Sequence, residues 1–321
     1  MTVPISDAKP PVAVVYGGPS EEHEISLESG AAVADALEAE GWPVRRLVID
    51  ERVDPFVEGI REAGEIVFLA LHGRYGEDGT VQETLDRAGV AYTGSGPAAS
   101  RAAMDKPTSK RKFQAEGVNT PKYHIAKENS AARTRAALRE AGLGAPLVVK
   151  PVASGSSIGV TIVREEAGLV AALEEARKYG DEVLVESLVE GREFTVGVLE
   201  EEALPVVELL PAGEFYDYSA KYEDAGTRYV CPAELGAAER DAMKEMGLAA
   251  FRALGARDFG RADVMLTADG RPSVLEVNTI PGFTSHSLLP RAAAAAGVTF
   301  GELVGRIARL AAGRTGPVSR R

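Results

Sequence analysis

GRADVMLTADGRPSVLEVNTIPGFTSHS, residues Gly260 to Ser287, is the stretch from which the rest of the chain is read. It parses as two short strands, Ala262 to Thr267 and Ser273 to Val277, joined at Asp269-Gly270. An Asp-Gly pair between apolar runs is a strong hairpin signal. Alternation puts Asp263, Met265 and Thr267 on one side of the first strand and Val264 and Leu266 on the other. On the second strand Glu276 and Asn278 share a side, with Val277 turned away between them. If the two polar sides coincide, oxygen donors meet across the hairpin. Hard oxygens suit Mg²⁺, which takes one or two carboxylates and completes its shell with water and substrate phosphate. Arg261, on the side of Asp263, would meet a phosphoryl group there. Asp263 alone fits a solvated hairpin equally well. Glu276 and Asn278 favour the metal, because they close the apolar run VLEV and lead into a loop rich in backbone and hydroxyl donors.

Composition narrows the class. The 321 residues suffice for two or three domains, and 45% hydrophobic with 26% charged residues is ordinary for a soluble globular protein. A formal charge of −12 argues against nucleic acid or an anionic membrane as partner. No apolar run approaches the ~20 residues that span a bilayer, and the first residues, MTVPISDAKPP, lack the basic and apolar parts of a signal peptide. Cys231, the single cysteine, fits a reducing cytosol and reads as a small hydrophobe. A cytoplasmic location is expected.

Upstream of the hairpin the chain divides into an expected 1–100, 101–189 and 190–321. In the first region, strands at 12–16, 44–49 and 65–71 alternate with helical patterns at 27–39 and 80–88. That pattern predicts an open parallel α/β sheet, with ligands beyond the carboxyl ends of its strands. The loops GGPSEEHEIS and HGRYGEDGT fall there. One carboxylate of the first loop could hold a substrate ammonium; Ser26 and Glu24 are expected to cap the following helix, leaving Glu22 open. His72 could orient a loop or touch substrate.

The second region reads as a small α+β unit: a basic helix at 106–115, strands at 122–126, 146–150, 160–163 and 182–187, and helices at 131–141 and 165–179. Its loop VASGSSIG has the glycines and serines of a phosphate cover, and Lys150 closes the strand before it. The third region opens with antiparallel strands at 191–199 and 203–210. A long polar loop follows, in which Lys221 and Tyr222 are the best candidates for ligand contact. Helices are expected at 234–254 and 299–312.

In order along the chain, GGPSEEHEIS, LHGRYGEDGTVQ, GSSIGV after Lys150, GREFTV, FYDYSAKY and GRADVM…LEVNTIPGFTSHS resemble the D-alanine–D-alanine ligases of peptidoglycan synthesis, from about Val12 to Ala312. The resemblance implies an ATP-grasp fold with an N-terminal open parallel α/β domain, and ATP held between two facing sheets. It implies two Mg²⁺ (or Mn²⁺) ions held by Asp263, Glu276 and Asn278. It also implies phosphate contacts from Lys106, Lys150 and Lys221 under Ser156 and Ser157, and adenine and ribose contacts from Glu186 and Glu193. Glu22 would bind the ammonium of the first D-alanine, near His72, and Ser156 and Tyr222 would join Glu22 in closing the lid. Arg261 and the Gly282 N–H would stabilise the oxyanion; Ser287 with Leu288 would hold the second carboxylate. A homodimer is expected. The loop reads VAS before GSSIGV, where a longer polar side chain is expected in many relatives.

Such chemistry needs no side-chain nucleophile. It activates a carboxylate by phosphorylation, which positioning and charge neutralisation accomplish. D-lactate or D-serine as acceptor, or an ATP-binding regulator without turnover, are the alternatives.

Overall fold

The structure is a computed structural model that describes residues 9–127, 130–152, 159–211, 226–284 and 287–314. Continuous apolar runs in the first region become β1 (Val12–Gly17), β2 (Val44–Ile49) and β3 (Ile66–Ala70), all parallel in the order β2-β1-β3. Between and after them run α1 (His23–Ala39), α2 (Asp54–Ala63) and α3 (Thr80–Ala88). Helix α2 was not expected, although Pro55 in its first turn and left-handed Gly64 at its end are proper boundary signals. The Gly/Pro/Ser stretch 94–100 contains the start of α4 (Pro97–Met104), again opened by a proline that needs no N–H partner there.

The second region carries α5 (Lys106–Ala115), β4 (Tyr123–Ala126), α6 (Ala131–Glu140), β5 (Leu147–Pro151), β6 (Thr161–Val163), α7 (Leu169–Arg177) and β7 (Val183–Ser187). Its sheet is antiparallel in the order β4-β7-β5-β6. Leu147, Val149, Val183 and Val185 face α6 and α7 in a common core. Alternation therefore turns Lys150 and Glu186 to the opposite face.

The third sheet contains β8 (Gly191–Leu199), β9 (Glu202–Ala203), β10 (Val207–Leu210), β11 (Arg228–Val230), β12 (Phe259–Thr267) and β13 (Pro272–Asn278), all antiparallel. The strand expected over 203–210 is interrupted around Pro205, which has no N–H to donate to a ladder. Helix α8 (Ala237–Ala253) covers one face, packing Met243, Ala250 and Phe251 on Phe194, Val196, Val264, Val274 and Val277.

The opposite face of this sheet is split. One end, with Leu199, Leu209 and Phe259, joins Val12, Val14 and Phe68 of the first sheet, α9 (Leu288–Ala295) and α10 (Phe300–Ala312) in a single core. Phe283 is its keystone, edge-on to Phe68 and Phe259 with ring centroids 5.6 and 5.5 Å away. Burying one such side chain contributes about 1.5–3 kcal/mol, and here it also ties the loop after β13 to the first sheet. The other end of the face is polar.

Candidate active site

The polar end is built by register. Asp263 pairs with Glu276 and Arg261 with Asn278 across β12 and β13, so these four side chains leave the same face. The register shifts between Asp263 and Val264. That bulge lets Val274 and Val277, three residues apart, both enter the core under α8, while Glu276 and Asn278 stay outside. Arg261 donates from Nε and Nη2 to the two Asp263 oxygens at 2.8 and 3.0 Å. Asn278 Oδ1 accepts the Ile280 N–H at 2.9 Å, turning the chain out of the strand. Glu193, opposite Met265, lies farther along this face.

Helix α5 supplies cations. Asp105 caps it by accepting the Thr108 N–H at 2.9 Å, and one turn separates Lys106 from Lys110 on its inner side. Lys106 Nζ is 3.7 Å from Glu276 Oε2, and Lys110 Nζ is 2.6 Å from Glu186 Oε2. Lys150 takes the other Glu186 oxygen. Burial alone would raise the Glu186 pKa, but Lys150 and Lys110 outweigh it and hold the carboxyl below its usual range. Burial likewise pulls Lys150 down, yet Glu186 and Glu276 turn its net shift upward. For Lys110 burial wins and the shift is downward.

Loops from the first sheet close the third side. Glu22 occupies the cap position of α1 without a side-chain cap bond. Gly73 stands at φ 72°, a left-handed conformation that favours glycine, and its missing Cβ, which would lie 2.8 Å from Glu22 Oε2, leaves room for that carboxylate. Glu77 accepts the Gly73 N–H at 2.6 Å. Glu77 is partly exposed as a residue, but its carboxyl is screened from water. That desolvation and the charge of Glu22 push it up to about 8, against the Gly73 and Ile280 peptide N–H groups and Arg261. His72 is buried between Ile280 O and Ser29 Oγ, each 3.0 Å away, and burial lowers its pKa.

This architecture has known counterparts. Residues 113–309 match the family model described as D-ala D-ala ligase C-terminus, and residues 50–95 match D-ala D-ala ligase N-terminus. A D-alanine–D-alanine ligase of Anaeromyxobacter sp. is 45% identical over 92% of this chain and 95% of its own length. The crystal structure of the Bacillus anthracis D-alanine–D-alanine ligase superposes with TM-score 0.83 at 36% identity, covering 94% of this chain and 97% of that one. The structure of that ligase complexed with ATP gives 0.81 at 34%, covering 95% and 98%. The chain belongs to the D-alanine–D-alanine ligase family.

D-alanine–D-alanine ligases are ATP-grasp enzymes that use ATP and Mg²⁺. In this ligase the described residues include no trio of His, Cys, Asp or Glu that could hold a metal. Two carboxylates and an amide on one face suit instead a hard cation that keeps water and phosphate in its shell, so the donor set fits Mg²⁺ or Mn²⁺.

Most expected site residues converge. Glu22, His72, Lys106, Lys150, Glu186, Glu193, Arg261, Asp263, Glu276 and Asn278 line the space described. Gly282 approaches Ser287 so closely that a Cβ would meet its hydroxyl at 2.6 Å, and Ser287 leads into α9 at Leu288. Ser156, Ser157, Lys221 and Tyr222 lie outside the described residues. Ser26, expected to cap α1, does not. The helix starts at His23, which leaves Ser26 inside it, with its hydroxyl accepting the Gly17 N–H and donating to Ala70 O. Glu24 is exposed in the first turn. Cys231 is half-buried and burial pushes its thiol up, which suits an inert side chain.

Three residues were missed. Lys110 left a signal, standing four residues after Lys106 on a helix with a buried side. Glu77 left a weaker one, as an acid in a glycine-rich loop beyond a strand end. Ser29 left none, because a helical serine is ordinarily unremarked.

Proposed function

We propose that this chain ligates two D-alanine molecules to D-alanyl-D-alanine through a D-alanyl phosphate, releasing ADP and phosphate, for peptidoglycan precursor synthesis. The observation that carries this reading is the convergence of Arg261, Asp263, Glu276 and Asn278 on one strand face with Lys106 beside them and Glu22 and His72 across from them. A carboxylate is a poor acyl donor because its leaving group is oxide; phosphorylation supplies a better one.

Asp263, Glu276 and Asn278 would hold two Mg²⁺ (or Mn²⁺) ions, which when bound neutralise phosphate charge. Lys106 and Lys150, with Lys221, bind phosphate oxygens beneath Ser156 and Ser157, and Glu186 and Glu193 contact adenine and ribose. Glu22 receives the ammonium of the first D-alanine, and Ser156 and Tyr222 join it to exclude water, which would otherwise hydrolyse the acyl phosphate. Arg261 and the Gly282 N–H stabilise the oxyanion formed when the second amine attacks. Ser287 and Leu288 bind the second carboxylate. The Leu288 side chain is in the core, so its part falls to its N–H in the first turn of α9, where helix donors lack intrahelical partners.

With ¹⁸O in the D-alanine carboxylate, one label should leave in inorganic phosphate, and L-alanine should not replace D-alanine. Arg261→Met should lower turnover on the order of 10²–10³, the cost of losing one oxyanion donor. Label in AMP, or near-normal turnover of Arg261→Met, would refute the mechanism.

No helix among the described residues is long and apolar enough to cross a membrane. We propose a cytoplasmic homodimer with no nucleic-acid or membrane partner; the charge of −12 supports the last two points and resemblance to the family the first.

A further inference from the structure

The loop that carries Gly282 is gripped by the first region through a closed chain of hydrogen bonds. His72 lies just beyond β3, 5% exposed, and Ser29, on α1, is fully buried. His72 Nδ1 stands 3.0 Å from Ile280 O, a group that only accepts, so Nδ1 carries the proton. In the neutral ring Nε2 is then the acceptor, and its partner at 3.0 Å is the Ser29 hydroxyl, which donates. With its proton committed, Ser29 Oγ accepts the Phe283 N–H at 3.2 Å. Ile280 and Phe283 flank Pro281-Gly282, so the chain holds that dipeptide from both sides. Pro281 has a fixed φ, and the Phe283 ring is wedged against Phe68 and Phe259. Gly282 is thereby left with no slack on either side.

We propose that His72 and Ser29 are positioning residues that aim the Gly282 N–H at the tetrahedral oxyanion, and that the His72 ring transfers no substrate proton. Both ring nitrogens are engaged by protein groups, and among the described residues Ser29 bonds to the ring and to the Phe283 N–H. The proposal rests on the ligase reading of Gly282 given above. A misplacement of about 1 Å can cost on the order of 10² in rate, so an aiming residue has a measurable effect without touching substrate.

The test compares Ser29→Ala, His72→Gln and the double variant with native enzyme. Folding is checked by circular dichroism; kcat, KM for ATP and D-alanine, and affinity for a phosphinate dipeptide mimicking the tetrahedral intermediate are then measured. Ser29→Ala removes both of its bonds at once and should lower kcat about 10–100-fold, with both KM values held within about twofold. Phosphinate affinity should fall in parallel with kcat, the pH profile of Ser29→Ala should keep its shape, and the double variant should be no worse than the worse single, because the two residues act as one unit. Near-native turnover in Ser29→Ala, alongside a lost limb of the kcat/KM pH profile in His72→Gln, would make His72 a base and overturn the proposal. Unchanged phosphinate affinity in Ser29→Ala would also overturn it, and that arm stands if His72→Gln does not fold. Arg261→Met then tells the two failures apart: if it weakens the phosphinate, only the aiming role is wrong; if it does not, the oxyanion reading has failed as well.

Discussion

Glu186 and Glu77 are both glutamates withdrawn from water at the rim of one site, and their acidities move in opposite directions. Glu186, on the second sheet, falls below the usual carboxylate range because Lys150 and Lys110 outweigh the cost of its burial. Glu77, beyond the first sheet, rises to about 8 because its desolvation is compounded by a second carboxylate, Glu22. Desolvation of the carboxyl is common to both; the neighbouring charge sets the sign. The lysine side of the cleft thus keeps a net positive charge, two ammonium groups on one carboxylate, which suits phosphate. The side around Glu22 and Glu77, with a neutral His72 and Arg261 already committed to Asp263, favours a further cation. The ammonium of a D-amino acid is such a cation, which gives an electrostatic reason for substrate to bind at that side.

Removing the anion from the lysine side should have the largest effect. Glu186→Gln removes the carboxylate that both buried ammonium groups pair with, and breaking a buried pair in this way costs about 3–5 kcal/mol. Chemical denaturation at neutral pH should show that loss, together with a raised KM for ATP. A loss under about 1 kcal/mol would mean that the lysines find other partners, and the contrast with Glu77 would lose its basis.

Glu77→Gln tests the other arm through pH. The folded pKa of Glu77 is raised above its unfolded value, so the stability it contributes is full below the unfolded pKa and is lost as pH rises through about 8. Relative to Glu77→Gln, the native protein should therefore lose on the order of 1.4 kcal/mol per pH unit in that window. Unfolding free energies of both proteins at pH 6 and pH 7 measure it. Parallel pH dependence would place the Glu77 carboxyl in water.

A smaller effect sharpens the comparison. An ammonium held by Glu22 favours the ionised form of Glu77, so D-alanine binding near pH 7.5 should release a fraction of a proton. Calorimetry in buffers of different ionisation enthalpy reads that release, and it should vanish in Glu77→Gln. Proton uptake on binding would contradict the proposed electrostatics.

Local pattern carried a good deal of this protein. The period of two and the Asp269-Gly270 turn were enough to read a hairpin with a polar side on each strand, since pleat and turn chemistry act over a few residues. That the polar sides of Asp263 and of Glu276 and Asn278 coincide depends on the bulge. The parallel order of the first sheet followed from apolar strands alternating with helices. What the pattern could not contain is anything set by packing between distant segments. The bulge at Asp263–Val264 arises because Val274 and Val277 must both reach the core beneath α8, and no local rule requires it. Where α1 begins decided that Ser26 bridges strands instead of capping. The joining of Lys110 to Glu186, and of His72 to a carbonyl 208 residues away, depends on how α5 and the first sheet dock against their neighbours. Sequence by itself determined which faces are polar and where the chain turns, because those are properties of neighbouring residues. Tertiary structure alone decided which charge stands beside which, because a pair of ionisable groups acquires its energy only when folding removes the water between them.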